Sequence, residues 1–367
     1  DWAAAELVAE MDHQVRADGC DHEASIPYHR LVAELFVCGG QAADALVPGA
    51  LTGRFRTRLE LMLDFVAAYT RPDGLAPQVG DADDGRFLPL GDYGRADPRS
   101  HAHLFAQAGR SYQPSTTSAA LPDGGFYVLR AGELYAIVRC GDVGVGGLGS
   151  HAHNDQLAFE LSWRGHPLVV DPGSYLYTAD PDARNAFRST AFHATLRIDG
   201  AEQNELSRDR LFALDDRTRA EAEAWEIQGD KAAFTGRHHG FEALDPPATH
   251  ERRVALDGAA GTVTITDTVS SQGRHELEWT FPLAPGAVEM TDGGATARFA
   301  AASLTVEASG VTFAVEDGWL SPRYGVREPT SFLRARRRAR PGDDVTVFTL
   351  RPGASNDEMR GIDTNAV

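Results

Sequence analysis

The segment from residue 149 to residue 200 contains the side chains best suited to bind a cation. His151 and His153 stand two residues apart just before an alternating stretch, Asp171 ends the next apolar run, and His193 precedes a third. A spacing of two puts both imidazoles on one face of an extended chain. Imidazole and carboxylate groups from neighbouring strand ends can complete a three-ligand site for zinc, or for manganese and similar divalent ions.

A second group of reactive side chains lies near the start of the chain, between Asp18 and His29. Glu23 and Ser25 come just before an apolar helical stripe, and Tyr28 stands on that stripe. A tyrosine hydroxyl can transfer protons when its surroundings move its pKa towards neutrality. The structural alternatives are core packing for Tyr28 and capping of the helix by Glu23 and Ser25.

In their order along the chain, the two groups resemble the signature of the heparinase II/III-like family of polysaccharide lyases. The order is a tyrosine-histidine helix motif at Tyr28, an acidic loop at Gly80–Arg86, and then the histidines and aspartate of segment 149–200. The resemblance covers essentially the whole chain, and segment 149–200 is its most specific part. It implies the helices of an incomplete N-terminal α/α toroid followed by a large antiparallel β-sandwich.

The resemblance also implies an activity, which is cleavage of a uronic-acid-containing polysaccharide, such as a glycosaminoglycan, by β-elimination. It assigns to Tyr28 both removal of the C5 proton and protonation of the leaving oxygen, and it makes His151 the partner. A lowered pKa would suit Tyr28 to that task. The implied ligands of a structural divalent metal, with zinc as the first candidate, are His153, Asp171 and His193.

Five further residues are expected to contact the substrate, namely Glu23, His29, Tyr175, Tyr177 and Arg188. The alternative for His29 is a histidine on the helix face, and the alternative for Arg188 is a surface ion pair. The lyase hypothesis also requires Tyr28 and His151 to face each other across a cleft that admits a sugar ring.

Two other functions stay open. One is a glycan-binding β-sandwich that is stiffened by a cation and has no catalytic activity. The other is a metal-dependent hydrolase, because the run from His151 to Gln156 is close to an H-x-H-x-D-H motif in which metal activates water. Gln156 replaces the last histidine of that motif, and the hydrolase fold needs alternating helices and strands.

Composition limits the partners. The net charge of −18 argues against nucleic acid and anionic membranes, so an anionic polysaccharide needs a locally positive cleft. No apolar run approaches the length of about 18 residues that spans a membrane. Every basic residue except Lys231 is an arginine, which suits carboxylate recognition but also follows from a GC-rich genome.

The periodicity of the sequence predicts an α+β fold. Helical spacing dominates the first part, and the third helix is expected from about Leu51 to Tyr69. From about Gly124 the period changes to two, as in Glu133–Cys140 and Gln156–Trp163. Many short strands separated by glycine turns indicate stacked antiparallel sheets. We place the domain boundary so that residues 1–115 form the helical domain and residues 116–367 the β-sandwich domain.

The family carries an Asn or His further upstream of the tyrosine than this sequence reaches, and the chain begins without methionine. The resemblance therefore implies a further N-terminal helical segment, in the same protein or as a separate piece. It favours a periplasmic or secreted bacterial location, and a homodimer is compatible with it.

Overall fold

The computed structural model describes residues 2–88 and 97–355. α-Helices dominate its first part, and one short α-helix and two 3-10 turns, Val145–Gly147 and Thr190–Phe192, lie among the described strands that follow. Their bounds are α1 (Trp2–Gln14), α2 (Ile26–Leu46), α3 (Gly53–Tyr69), α4 (His103–Gln107) and α5 (Pro181–Phe187). The described residues contain no helix that is both long and apolar enough to cross a membrane.

The strands lie between Ala119 and Ala354. They are β1 (Ala119–Leu121), β2 (Phe126–Ala131), β3 (Leu134–Arg139), β4 (Phe159–Trp163), β5 (His166–Val169), β6 (Leu196–Ile198), β7 (Glu221–Gln228), β8 (Lys231–His238), β9 (Ala248–Asp257), β10 (Thr262–Ser271), β11 (Glu276–Pro282), β12 (Ala287–Thr291), β13 (Gly294–Arg298), β14 (Ala302–Ala308), β15 (Thr312–Arg323), β16 (Val326–Arg338) and β17 (Gly342–Ala354).

These strands form three sheets. Their strand orders are β1-β2-β3-β4-β5, β12-β13-β14-β17-β10-β9-β8-β7 and β15-β16-β11-β6. Strand pairs such as β9 with β10 and β15 with β16 are antiparallel. The predicted succession of helices and then large antiparallel sheets is therefore confirmed. The hydrolase alternative does not fit, because its fold alternates helices with strands.

Helix α2 begins where the sequence provides a cap. The Ser25 hydroxyl oxygen accepts a hydrogen bond from the backbone N–H of Tyr28 at 3.2 Å, and Pro27 occupies the first turn. Both features favour a helix start, since the first N–H groups of a helix lack internal partners. The Ser25 hydroxyl also donates to the backbone carbonyl of Asp81 at 2.8 Å. The same residue thus ties the start of α2 to the acidic loop.

Strands β2 and β3 separate two hydrophobic cores. Phe126 and Val128 of β2 belong to the core that α1, α2 and α3 form, whereas Tyr127 and Leu129 belong to the core between the sheets. Successive side chains of a strand point to opposite faces, so a strand with no polar face is buried on both sides. This sheet is therefore shared between the helical part and the sandwich.

Candidate functional site

A buried carboxylate, Asp81, lies at the centre of the candidate site. Its Oδ2 atom is 3.1 Å from Nδ1 of His151, and its Oδ1 atom is 2.9 Å from Nε2 of His153. Both Nη atoms of Arg184 also donate to it, and the Nη2–Oδ2 distance is 2.6 Å. Burial alone would raise the pKa of Asp81, but Arg184 and the two histidines lower it well below its usual range. Asp81 is therefore ionised and accepts from both rings.

Gly80 lets the acidic loop reach this position. Its φ is +80°, and a Cβ there would lie 2.8 Å from Cβ of Ser25 and 3.0 Å from the carbonyl oxygen of His151. A side chain would therefore clash with the start of α2 and with the 151 loop. The backbone N–H of Asp81 donates to that same His151 carbonyl at 3.0 Å. The close approach positions the carboxylate between the two histidines.

Tyr28 and His151 meet although about 120 residues of sequence separate them. Their ring centroids are 3.7 Å apart with an interplanar angle of 18°, so the rings stack. The Tyr28 hydroxyl donates to Oδ2 of Asp83 at 3.1 Å. Convergence of the two residues agrees with the sequence-based expectation. The expected gap between them is wrong, because rings in contact leave no room for a sugar ring.

The electrostatic environment of Tyr28 also differs from the expectation. Burial raises its pKa above the usual value, and the nearby carboxylates of Asp83 and Asp81 raise it further. The phenol is therefore protonated at neutral pH. No lowered pKa prepares Tyr28 as a base in this structure.

His153, Asp171 and His193 come together as predicted. Each offers one potential ligand atom, these atoms lie within 4.8 Å of one another, and all three side chains are buried. Nδ1 of His193 is 2.8 Å from Oδ2 of Asp171, and the ring centroids of the two histidines are 5.2 Å apart. The three residues come from three separate loops beside β4, β5 and β6.

Two nitrogen atoms of this group support a cation site. Nδ1 of His153 and Nε2 of His193 are buried and have no hydrogen-bond partner among the described residues. The other ring nitrogen of each histidine faces a carboxylate, Asp81 or Asp171. A carboxylate that accepts the N–H of one nitrogen leaves a lone pair on the other, as metal-ligating histidines require. The donor set therefore fits a divalent cation.

The expected strand geometry of the His-x-His motif is wrong. His151 and His153 lie in an irregular segment before β4, which starts at Phe159. The two rings nevertheless reach the same carboxylate, because the loop wraps around Asp81. His153 is fully buried, whereas the His151 side chain is 16% exposed. His151 therefore borders solvent, and His153 faces the interior.

Glu23 and Tyr177 lie at the same site. Burial raises the pKa of Glu23, whose charge interacts with His151 and Asp81. Burial, the Asp81 carboxylate and the neighbouring Tyr28 raise the pKa of Tyr177. The Tyr177 hydroxyl is buried, and the hydroxyl of Tyr28 is its neighbour. Both residues are thus placed where the sequence analysis expects a substrate.

Tyr175 lies two residues before Tyr177 and is partly exposed. Its ring is 5.5 Å from Phe187 of α5, and the guanidinium of Arg327 lies 5.1 Å from its centroid. Tyr177 in turn contacts the rings of Phe212 and Tyr324 at 5.3 and 5.1 Å. The two tyrosines therefore extend the site towards the hairpin of β15 and β16.

Two residues expected at the substrate are placed in the interior instead. His29 is 1% exposed, with Nδ1 accepting from the backbone N–H of Asp21 and Nε2 3.1 Å from the Met62 carbonyl. Arg188 is fully buried and donates to the carbonyls of Ala213, Ser207 and Arg210. Neither side chain has a free face, so both expectations of substrate contact are corrected.

Asp81, Asp83 and Arg184 lie at the site although no sequence pattern marks them as site residues. The acidic loop Gly80–Arg86 entered only as part of the motif order, and nothing in it distinguishes Asp81 from its neighbours. Arg184 lies in α5, four residues before Arg188, which caps the end of that helix. Its guanidinium lies 5.0 Å from the Tyr177 ring and 5.2 Å from the Phe212 ring. A buried carboxylate beside the histidines would require such a cation.

Comparison with known proteins identifies relatives of this chain. The sequence profile of the heparinase II/III-like C-terminal domain matches residues 113–352. A heparin-sulfate lyase of Pedobacter heparinus is 27% identical over 262 residues, which are 68% of this chain and 37% of that protein. A heparin-sulfate lyase of Bacteroides stercoris is 23% identical over 337 residues, which are 87% of this chain and 48% of that protein.

A solved structure has the same fold. The crystal structure of heparan sulfate lyase from Pedobacter heparinus superimposes with a TM-score of 0.76 at 19% sequence identity, covering 96% of this chain and 55% of that one. The chain matches less than half the length of each of the two curated heparin-sulfate lyases.

Proposed function

Since the chain belongs to the heparinase II/III-like family, we propose that it is the part of a polysaccharide lyase that cleaves a uronic-acid-containing polysaccharide by β-elimination. The observation that carries the proposal is the stack of Tyr28 on His151 beside Asp81, which joins two distant parts of the sequence. The curated relatives are heparin-sulfate lyases, so a glycosaminoglycan of the heparin type is the first substrate to test.

The chemistry requires a base, an acid and a group that offsets the uronate charge. The C5 proton is weakly acidic, because its removal leaves a carbanion beside an existing carboxylate. Positioned donors near that carboxylate therefore lower the barrier. The Tyr177 hydroxyl, which is buried beside Tyr28, is the donor that we assign to it.

The hydrogen bonds of His151 suit it to accept the C5 proton. Its Nδ1–H donates to the ionised Asp81, which leaves a lone pair on Nε2. In the proposed step the C5–H electrons form the C4–C5 double bond, and the C4–O bond breaks. The protonated phenol of Tyr28 gives its proton to the leaving oxygen. The proton then passes from His151 to the Tyr28 phenolate, which restores both groups.

The stack of Tyr28 on His151 makes them one wall of the site. The sugar therefore lies against the edges of both rings rather than between their faces. This arrangement revises the expected roles, in which Tyr28 removes the proton and also returns it. It retains the same two residues.

We propose that His153, Asp171 and His193 hold a structural divalent metal, with zinc as the first candidate. A bound cation would neutralise the charge of Asp171 and fix the ring orientations of His153 and His193. It takes no part in the proton transfers. Through Asp81 it would also fix the orientation of His151.

A panel of heparan sulfate, chondroitin sulfate, alginate and an acidic bacterial exopolysaccharide tests the proposal. A lyase raises the ultraviolet absorbance as the 4,5-unsaturated product forms. The assay should use the full-length protein that contains this chain, because the relatives are about twice as long. Binding of these polymers without any absorbance change would favour the non-catalytic glycan-binding alternative.

A further inference from the structure

We propose that Arg327, Trp319 and Tyr175 form a subsite that binds an anionic group on a sugar unit outside the one that reacts. The inference rests on the proposed lyase function and extends it to substrate recognition. The three residues lie at and beside the tip of the hairpin that β15 and β16 form.

Two aromatic rings hold the guanidinium of Arg327. Its central carbon lies 4.3 Å from the ring centroid of Trp319 and 5.1 Å from that of Tyr175. Trp319 pairs with Pro329 across the hairpin, so it lies diagonally opposite Arg327 on the same face. Stacking of this kind orders an arginine without consuming its hydrogen-bond donors.

Within residues 2–88 and 97–355, Arg327 has no carboxylate partner, unlike the other arginines of this hairpin. Arg323, Arg334, Arg336, Arg337 and Arg338 each have an Asp or Glu oxygen within 4.0 Å. The side chain of Arg327 is exposed. A planar guanidinium that is ordered, exposed and unpaired is prepared for bidentate binding of a carboxylate or a sulfate.

The hairpin tip places this arginine beside the candidate site. The ring centroids of Tyr324 and Tyr177 are 5.1 Å apart, and the N–H of Gly325 donates to the Tyr175 carbonyl at 2.8 Å. Two residues of extended chain span at most about 7 Å, so Tyr175 adjoins Tyr177. Tyr177 adjoins Tyr28. A polysaccharide at Tyr28 therefore reaches Arg327 with a unit beyond the reacting one.

The negative net charge of the chain makes a positive side chain near the site important for binding a polyanion. A net charge of −18 repels a polyanion, and Asp81, Asp83 and Asp84 all lie near the site. Arg184 is committed to Asp81. Arg327 therefore supplies a positive charge next to the site that no carboxylate of the described residues neutralises. Trp319 is 38% exposed and offers an apolar surface beside that charge for the face of a sugar ring.

The test compares Arg327→Gln with Arg274→Gln, in steady-state kinetics on the polysaccharide that the panel identifies. Arg274 is an exposed arginine in the turn between β10 and β11, with no carboxylate partner in the described ranges. We expect Arg327→Gln to raise KM roughly tenfold, as the loss of one charge-assisted contact does, and to leave kcat nearly unchanged. Arg274→Gln should change neither value.

The same kinetics on a desulfated substrate identify the anionic group. A KM effect that persists assigns a uronate carboxylate to Arg327, and an effect that disappears assigns a sulfate. Equal KM values for Arg327→Gln and Arg274→Gln overturn the inference. If the wild type cleaves no polymer, the proposed function fails instead. Binding of the two variants to immobilised heparan sulfate then decides the inference, and equal affinity counts against it.

Discussion

Asp81 joins the proposed catalytic histidine to a residue of the candidate metal group. Its Oδ2 atom lies 3.1 Å from Nδ1 of His151, and its Oδ1 atom lies 2.9 Å from Nε2 of His153. One carboxylate therefore sets the orientation of both rings. A change at Asp81 should affect both groups.

We expect Asp81→Asn to reduce stability and turnover together. Arg184 would remain fully buried without its charged partner, and breaking such a pair costs about 3–5 kcal/mol. Urea unfolding and kcat measure the two effects. Asp142→Asn is the matched control, because Asp142 pairs with Arg16 at the surface and should cost under about 1 kcal/mol. An Asp81→Asn protein as stable as Asp142→Asn would contradict the role of Asp81.

Tyr28→Phe should keep the fold and lose most turnover. The change removes one hydroxyl that donates to Asp83, and loss of a proton-transfer group lowers kcat by about 100-fold or more. KM should change little. Tyr127→Phe removes a hydroxyl from the core between the sheets and should retain activity. Full activity of Tyr28→Phe would show that another group supplies the proton.

Removal of the proposed metal should lower the melting temperature. Binding to the folded state alone stabilises it, so a chelator should destabilise the wild type. His153→Ala and His193→Ala should contain no metal by elemental analysis and should not respond to the chelator. His166→Ala, at the start of β5, should behave like the wild type. A wild-type protein that contains no metal and gains no stability from added zinc would refute the site.

Acid should weaken the helical core through His29. Burial lowers the pKa of His29 to about 4, whereas the pKa of a histidine in the unfolded chain is about 6.5. The unfolded chain therefore takes up the proton first as the pH falls. The free energy of unfolding should fall by about 3 kcal/mol as the pH drops from about 6.5 to about 4. Above about pH 6.5 this contribution to stability should be fully present. Urea unfolding across this range should show a flatter dependence for His29→Gln, and an unchanged slope would contradict the assignment.

The proximity of His153, Asp171 and His193 is predictable from the sequence, because the three residues lie at element ends within one short segment. Asp171 follows β5 and His193 precedes β6, as the alternation indicates. Asp81, the carboxylate that His151 and His153 both contact, cannot be predicted in the same way. Asp81 lies in a loop 70 residues before His151, and only the folded chain brings them together.

Neighbouring residues explain the incorrect assignments. Tyr28 and His29 are consecutive on α2, so their side chains point about 100° apart and cannot both face the site. Tyr28 faces His151, and His29 faces Phe65 in the core. Arg184 and Arg188 lie one turn apart, yet only Arg184 reaches a carboxylate of the site. Sequence spacing alone does not show which residue of each pair, Tyr28 or His29 and Arg184 or Arg188, faces the site.

Because the sheet that contains β2 and β3 packs on both hydrophobic cores, we expect the two halves of the chain to unfold as one cooperative unit. Phe126, Val128, Tyr135 and Ile137 of this sheet pack on the helices, although the strands belong to the sandwich. A fragment cut at the predicted boundary near residue 115 would expose this apolar face to water and should aggregate. Calorimetry of the intact chain should show a single transition, and two separate transitions would mean that the shared sheet does not couple the halves.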